Sequence, residues 1–362
     1  MRDHQGLSWL VGLASVFIVL AGLKAAEAIT IPIMLALFIT IISTPFIRMM
    51  TLRGIPSIVA VLIVLAVLIV FGGGLMMVVS QSVDLFMQRL PLYQERLQAA
   101  LIGLIPLFER FDIHLSRDFL SKQINPAYVM GQLGAVLSMV SNLLTNVFLV
   151  VFIVIFLLME EASFPRKLKA ALPQADFTLS AASGFMDQVN KYLLIKTVIS
   201  VATGVLVTLL LAWKGVDFPV LWGLVAMLMN FIPNVGSLIA AIPAVLLALV
   251  QLGVGDALVV ALGYLLINTL MGSIIEPRYM GKGLGLSPLV VFLSLIVWGW
   301  LFGPVGMFLS IPLTMIAKIA LEQYDGTRWI AIMLSDDVVD NASASAPSAP
   351  QSLTNLADNS QG

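Results

Sequence analysis

The chain has 362 residues, of which 60% are hydrophobic and 11% are charged, and its net charge at pH 7 is −1. Soluble domains carry about 25% charged residues, so this composition indicates a polytopic membrane protein. The small net charge gives no reason to expect a nucleic-acid partner. There is no cysteine, and the two histidines, His4 and His114, lie far apart in sequence. We therefore expect no disulfide, no metal site and no cofactor.

Long apolar runs predict an all-α fold with about six full transmembrane helices, because a helix needs about 20 residues to cross the bilayer core. The first run, 7–23, ends at Lys24 without a small-residue cleavage site, so we interpret it as a retained helix. The predicted spans are 7–23, 28–47, 55–79, 136–159, 193–213 and 255–275. Two further segments, 218–250 and 286–321, are predicted to be broken or re-entrant helical hairpins.

Changes in composition divide the chain into five predicted segments. Apolar residues recur at three- and four-residue steps from Leu85 to Leu104, which predicts an amphipathic helix beyond the third span. The segments are 1–79 with three transmembrane helices, 80–135 as an amphipathic insertion, 136–192 with the fourth transmembrane helix and a cytoplasmic amphipathic stretch, 193–335 as the transport core, and 336–362 as a disordered tail.

The distribution of basic residues predicts that both termini are cytoplasmic. With the N-terminus inside, Arg48 and Arg53 fall in a cytoplasmic loop, and Lys318 and Arg328 lie at the cytoplasmic C-terminal end. The 80–135 insertion would then lie outside, where its basic residues are balanced by acidic ones. Long segments translocate largely regardless of charge, so this insertion is only weak counter-evidence.

The segment 218–250 has two apolar arms of about 13 residues on either side of a polar corner, whereas a full crossing needs about 20. The corner is rich in Asn, Pro and Gly and runs from Asn230 to Ser237. Irregular backbone at membrane depth is tolerated only where it is buried in protein or lines a polar cavity. Interrupted segments of this kind indicate the substrate site of a transporter.

The second broken segment repeats the pattern of the first. Pro233 and Gly236 are followed by Pro243 in one, and Pro304 and Gly306 are followed by Pro312 in the other. We predict an internal repeat whose corners face each other around a site near the membrane midplane. The alternative is that Gly and Pro are simply commoner in membrane helices.

Polar side chains near the first corner are the predicted substrate contacts, because amides and hydroxyls suit a neutral, hydroxyl-rich solute. An alternative is that they cap helix ends and bond the backbone freed by Pro233. Asn268, on the span 255–275, would either contact the ligand or hydrogen-bond between helices. The predicted substrate-binding residues are Asn230, Pro233, Asn234, Gly236, Ser237 and Asn268.

The loop after the span 255–275 is predicted to act as a gate. Pro277 should end the helix, the following glycines should free the backbone, and Glu276 could pair with Arg278. The alternative is an interfacial loop with charges extended towards water. Lys196, near the start of the span 193–213, is likewise predicted to extend towards the interface, and the alternative is that its side chain reaches inward. The predicted gate and loop residues are Glu276, Pro277, Arg278, Gly281, Gly283, Gly285, Pro304, Gly306 and Pro312.

The absence of certain motifs restricts the classes of function that we expect for this sequence. The sequence has no Walker A pattern, so ATP hydrolysis on this chain is not expected. It offers no nucleophile–base or metal-ligand set, so we expect no enzyme. Glu276 is the one carboxylate near the broken segments that resembles the coupling groups of proton- or sodium-driven carriers.

Three contiguous blocks resemble signatures of the autoinducer-2 exporter family. They are Asn230–Pro243, Ile275–Val290, and Trp298–Met307 followed by Ile311–Thr314, and the likeness extends over roughly residues 5–335. The resemblance implies an inner-membrane protein that exports the small hydroxylated signal autoinducer-2. It also implies a homo-oligomer, for example a pentamer, in the lipid bilayer.

The leading hypothesis is a solute exporter that works by alternating access, with its site between 230–237 and the 276–288 loop and with 304–312 as the facing repeat. Some relatives in this family are described as sodium/proton antiporters, so an antiporter that depends on Glu276 is the first alternative. A membrane scaffold that uses 80–135 as an outer interaction domain is the second.

Overall fold

The computed structural model describes residues 2–109, 125–145, 147–161, 167, 175–233, 235–280, 285–322 and 326–335. These residues form helices joined by short turns and contain no strand, which confirms the predicted all-α polytopic fold. The helices are α1 Arg2–Ala25, α2 Glu27–Leu52, α3 Ser57–Glu109, α4 Pro126–Thr145, α5 Val147–Glu161, α6 Ala175–Lys214, α7 Pro219–Met229, α8 Gly236–Leu252, α9 Val254–Asn268, α10 Glu276–Met280, α11 Pro288–Phe308, α12 Ser310–Glu322 and α13 Arg328–Met333.

Five helical stretches within the described residues are long and apolar enough to cross a membrane. Four of them match predicted spans, and the fifth, Pro288–Phe308, lies in the second predicted hairpin. Helix α1 covers the predicted span 7–23, and α4 and α5 cover 136–159. The five stretches are Glu27–Leu52, Ser57–Ala100, Gln188–Lys214, Val254–Met280 and Pro288–Phe308.

Two predicted helix boundaries differ from the structure. Helix α3 continues without interruption from the third predicted span into the 80–135 insertion, and α6 begins at Ala175 rather than near residue 193. A change from apolar to amphipathic composition alters which faces meet lipid or water, but it does not end a helix. Residues 110–124 of the insertion and the tail 336–362 lie outside the described residues.

The amphipathic part of α3 packs on the end of the first hairpin. Phe86, Tyr93 and Leu97 are almost fully buried in a core that also contains Trp222. The Tyr93 hydroxyl donates a 2.7 Å hydrogen bond to the Asp217 carboxylate. It also accepts a 3.3 Å bond from Nε2 of Gln251, whose Oε1 accepts the backbone N–H of Asp217 at 2.9 Å. The insertion is therefore joined to the loop before α7 and to the end of α8.

Helices α7 and α8 form the first predicted hairpin around a corner at 230–235. Helix α7 lies close against α6, because a Cβ at Gly204 would be 2.8 Å from the Gly223 carbonyl oxygen. Small residues allow this backbone approach between membrane helices. A Cβ at Gly236 would overlap the Met229 carbonyl oxygen, so the tight corner requires glycine there.

Helices α11 and α12 form the second hairpin, and its corner, residues 302–308, begins at a break near the end of α11. Phe302 and Gly303 have non-helical backbone angles, with φ of +60° at Gly303. A Cβ at Gly306 would overlap the Trp298 carbonyl oxygen and would lie 3.0 Å from the Cβ of Phe302. At Gly236 the corresponding contact, with the Cβ of Ile232 four residues earlier, is 2.9 Å. The two corners thus share a close glycine contact with the preceding helix, whereas a positive φ occurs only in the second among the described residues.

An aromatic cluster joins α2 to both corners. The ring centroids of Phe231 and Phe308 are 4.2 Å apart, and Phe38 lies 5.8 Å from the first and 5.0 Å from the second. These rings belong to a buried core that also includes Val305 and Leu309. Direct contact between the corners is consistent with the predicted repeat, although the contact is apolar.

The helix after α9 does not stop at Pro277 as predicted. It passes through a π-helical segment, Thr269–Ile275, and continues as α10 to Met280. A proline in an α-helix lacks a donor and clashes with the carbonyl of the preceding turn. The π-helical segment lies directly before Glu276 and Pro277, so its altered hydrogen-bond pattern accompanies the continuation of the helix past the proline.

Candidate functional site

A polar cavity of about 210 Å³ lies between the first corner and the π-helical part of the adjacent helix. Four of the predicted substrate-binding residues, Asn230, Pro233, Ser237 and Asn268, line it. Gly236 shapes the corner beside them, and Asn234 lies outside the described residues. The remaining lining residues are Lys196, Ile232, Thr269, Gly272, Ser273 and Glu276. The structure therefore brings residues from three helices and one corner to one cavity.

Asn230 is anchored to helix α6 behind the corner. Its side chain is buried, and Nδ2 donates a 3.0 Å hydrogen bond to Oγ of the fully buried Ser200. This contact fixes the amide orientation at the cavity wall. Asn230 is also the C-terminal cap residue of α7, so it has a structural role in addition to the predicted ligand contact.

A buried ion pair forms one end of the cavity. Nζ of Lys196 lies 2.7 and 2.9 Å from the two carboxylate oxygens of Glu276, and the two side chains are 5% and 17% exposed. Lys196 is eight residues inside the span that begins at Gln188, or about 12 Å along the helix. Ionisable groups at such positions usually pair with one another and mark a transport pathway.

This pair corrects two predictions. Lys196 does not extend to the interface, because it has a carboxylate partner within the fold that offsets the loss of hydration. Glu276 pairs with Lys196 and not with Arg278, whose side chain is exposed. The predicted gate pair between Glu276 and Arg278 is therefore absent from the described contacts.

The cavity is polar but has little net charge. Lys196 neutralises Glu276, and the other polar groups at the wall are amides and hydroxyls, which can donate and accept hydrogen bonds. Pockets for drug-sized ligands measure about 300–1,000 Å³, so a cavity of about 210 Å³ suits a smaller molecule. These properties match a small, neutral, hydroxyl-rich solute better than a free cation or a large lipid.

Of the predicted loop glycines, Gly285 lies within the described residues. Gly285 has φ of +63°, and its carbonyl accepts a 2.8 Å hydrogen bond from Lys318 on α12. The next turn is held by a 3.1 Å bond from the Ser287 N–H to the Leu334 carbonyl. Gly281 and Gly283 lie outside the described residues. The described end of the loop is thus fastened to the C-terminal helices.

The second hairpin does not line the polar cavity. Pro304 lies on a separate apolar cavity, Gly306 forms the second corner, and Pro312 is buried in α12. The predicted facing of the two repeats around one polar site is not seen in this arrangement. The corners meet instead through Phe231 and Phe308.

Sequence reasoning missed the contribution of α6 to the site. Lys196, Ser200 and Thr203 occur at four- and three-residue spacing within an apolar run, and all three are buried. This spacing places them on one face of a helix. The pattern of a polar stripe on an apolar helix was therefore present in the sequence, and it would have indicated that Lys196 faces the protein interior.

Comparison with known proteins gives consistent matches along nearly the whole chain. A family model described as AI-2E family transporter matches residues 13–326. The AI-2 transport protein TqsA of Escherichia coli (strain K12) is 41% identical over 332 residues, which cover 92% of this chain and 96% of that protein. A second relative, YhhT of the same strain, is named only provisionally as a transport protein. It is 35% identical to this chain, and the match covers 92% of this chain and 95% of YhhT.

Proposed function

The chain belongs to the AI-2E transporter family, and from this premise we propose that it exports autoinducer-2, with the polar cavity as its solute site. The observation that carries the proposal is the lining of this cavity. Amides and hydroxyls at Asn230, Ser237, Asn268 and Ser273 surround a charge-neutralised ion pair. A small hydroxylated solute needs many hydrogen-bond partners and no opposite net charge. The cavity wall offers such partners and carries little net charge.

Alternating access is the proposed mechanism. The corner at 230–235 is a short irregular segment between two apolar helices, and it forms one side of the cavity. The opposite side is a π-helical segment, a type of irregularity that often occurs at functional sites. Movement of either segment would open the cavity towards one side of the membrane and close it towards the other. Cytoplasmic termini and an inner-membrane location complete the proposal.

Uptake of labelled autoinducer-2 into inside-out vesicles tests the proposal. Vesicles that contain the protein should accumulate the solute above empty vesicles, and Ser237→Ala should reduce this accumulation. Gly255→Ala is a matched control, because a Cβ there meets no atom within 4 Å. Absence of protein-dependent accumulation, with protein present in the vesicles, would contradict the proposed substrate.

The buried carboxylate supports one second candidate, a sodium/proton antiporter. Glu276 lies within a membrane span and lines the cavity, as a coupling group would. Glu276→Gln keeps a carbonyl oxygen that can accept from Lys196, but it removes the titratable charge. Loss of sodium-dependent collapse of a pH gradient in this variant, with unchanged solute binding, would favour the antiporter. Loss of solute binding without any antiport in the parent protein would favour the exporter.

A further inference from the structure

A second cavity of about 320 Å³ lies on the other side of the first corner. Asn230 and Pro233 line the polar cavity, Phe231 lines the second one, and Ile232 lines both. The corner is therefore a thin wall between two spaces of opposite character. The second cavity is lined by residues of α2, α3 and α5 and by residues of the second corner, which include Phe308.

The wall of this second cavity is apolar. Thr197 is the one hydroxyl-bearing residue among the described lining residues, and its Oγ1 already donates a 2.7 Å hydrogen bond to the Leu193 carbonyl. A buried water needs two to four polar partners, and an apolar cavity of about 150 Å³ stays dry and binds benzene or xenon. A cavity of about 320 Å³ with this lining is therefore expected to hold an apolar molecule.

The position of the cavity indicates which apolar molecule fills it. Phe71 of α3 lines the cavity and is 56% exposed, and its neighbour Val70 is 74% exposed. On α5, Val151 lines the cavity while the adjacent Phe152 is half-exposed. Exposed apolar side chains on membrane-spanning segments face lipid, so the side of the cavity between these helices adjoins hydrocarbon. Lipid chains are the apolar molecules present there at high concentration.

We propose that this cavity holds one hydrocarbon chain of a membrane lipid, which contacts the rear of the first corner. The chain would enter between α3 and α5 and end against the adjacent rings of Phe231 and Phe308. Ile232 would then touch the lipid chain on one side and the solute cavity on the other. Occupancy would support the corner in the present arrangement, so a transport cycle that moves the corner must also move the chain.

The glycine triplet of α3 supplies a matched pair of variants for the test. Gly72 lines the cavity, and a Cβ there would have only an ordinary contact of 4.0 Å with Val147. Gly73 is exposed, and a Cβ there meets no atom within 4 Å. Gly72→Leu should therefore fill the cavity, whereas Gly73→Leu adds the same side chain on a lipid-facing side.

The experiment uses vesicles of phosphatidylethanolamine and phosphatidylglycerol with a small fraction of phospholipid that carries a diazirine at the end of one chain. After illumination, mass spectrometry locates the labelled residues. In the parent protein and in Gly73→Leu, label should reach the cavity-lining rings of Phe231 and Phe308, and label at these two residues is the inner label. In Gly72→Leu this inner label should fall at least tenfold, while label on the exposed Phe148 remains.

Other results would overturn the proposal. Label confined to outer residues in the parent protein would show that no chain enters. Equal inner label in both leucine variants, or equal loss in both, would show that labelling does not depend on the volume of the cavity. Loss of inner label on addition of excess autoinducer-2 would assign the cavity to the solute route instead. The lipid measurement requires no transport, so its outcome is independent of the proposed export activity.

Discussion

Both hairpin corners hold a glycine tightly against the preceding helix, but their surroundings are opposite. Each turns at a glycine that leaves no space for a Cβ, Gly236 in the first and Gly306 in the second. The first corner presents Asn230 and Pro233 to a polar cavity, whereas the second presents Pro304 and Val305 to an apolar one. The glycines thus set the shape of the turn, and the neighbouring side chains set its chemistry.

Because of this difference, we expect some substitutions at the corners to lower the stability of the fold and others to lower transport. A substitution at either glycine should destabilise the corner to which that glycine belongs. Changes in the polar lining should affect only the first corner, because the described residues of the second corner do not line the polar cavity.

The largest effect is expected from Lys196→Met, which leaves the Glu276 carboxylate without its buried partner. Removing one member of a buried ion pair typically costs about 3–5 kcal/mol. The double variant Lys196→Met, Glu276→Gln should recover most of this loss, because no unpaired charge remains. Denaturant unfolding of the purified protein in detergent measures both. A double variant as unstable as the single one would show that packing, and not charge, is responsible.

Gly236→Ala and Gly306→Ala should both destabilise the fold, because each new Cβ overlaps a carbonyl oxygen of the helical segment before its corner, at Met229 and at Trp298. Forcing extra volume into a packed site costs about 1–3 kcal/mol. Unfolding curves of the two variants should shift by similar amounts, and Gly255→Ala should match the parent protein. A shift in only one of the two would mean that the corners are not equivalent.

Asn230→Ala should lower transport by about tenfold, since losing a hydrogen-bonding group at a buried site costs about 1–3 kcal/mol. Val305→Ala at the second corner should leave the initial rate within about twofold, because Val305 faces the apolar cavity and hydrogen-bonds no solute. Initial rates of autoinducer-2 uptake into vesicles compare the two at equal protein content. Equal loss in both would argue against a special role for the polar corner.

The smallest effect is expected from Tyr93→Phe, which removes the hydroxyl that bridges Asp217 and Gln251. The loss of stability should be about 1 kcal/mol, as for a typical hydrogen bond. Transport should persist, because Tyr93 is not among the lining residues of either cavity. Tyr128→Phe on α4 is the control, since this tyrosine is 67% exposed. Abolished transport in Tyr93→Phe would instead make the contact part of the transport cycle.

Much of the fold could be predicted because apolar run length is set directly by bilayer thickness. The first hairpin was also predictable from residue type, since Pro233 and Gly236 interrupt an apolar segment that is too short to cross the membrane twice. The continuation of α3 beyond residue 79 could not be predicted, because it goes together with the burial of Phe86 and Tyr93 by other helices. Such tertiary contacts are not encoded in local periodicity.

The candidate site was predictable in part for the same reasons. Asn230, Ser237 and Asn268 stood out as polar residues in apolar segments, and the structure places all three on one cavity. The partner of Glu276 was harder to identify, since Lys196 is 80 residues away in sequence. Local reasoning favoured the neighbouring Arg278 and missed a pair that only helix packing creates.

The absence of cysteine permits a direct test of the central claim, that the polar cavity binds the solute. Ser237→Cys and Ser273→Cys place single thiols on its wall, and Gly255→Cys places one on an exposed helix outside it. The rate of thiol alkylation would be measured with and without autoinducer-2. We predict that the solute slows labelling at positions 237 and 273 but not at 255. Unchanged labelling at both cavity positions, in protein that still transports the solute, would contradict the account.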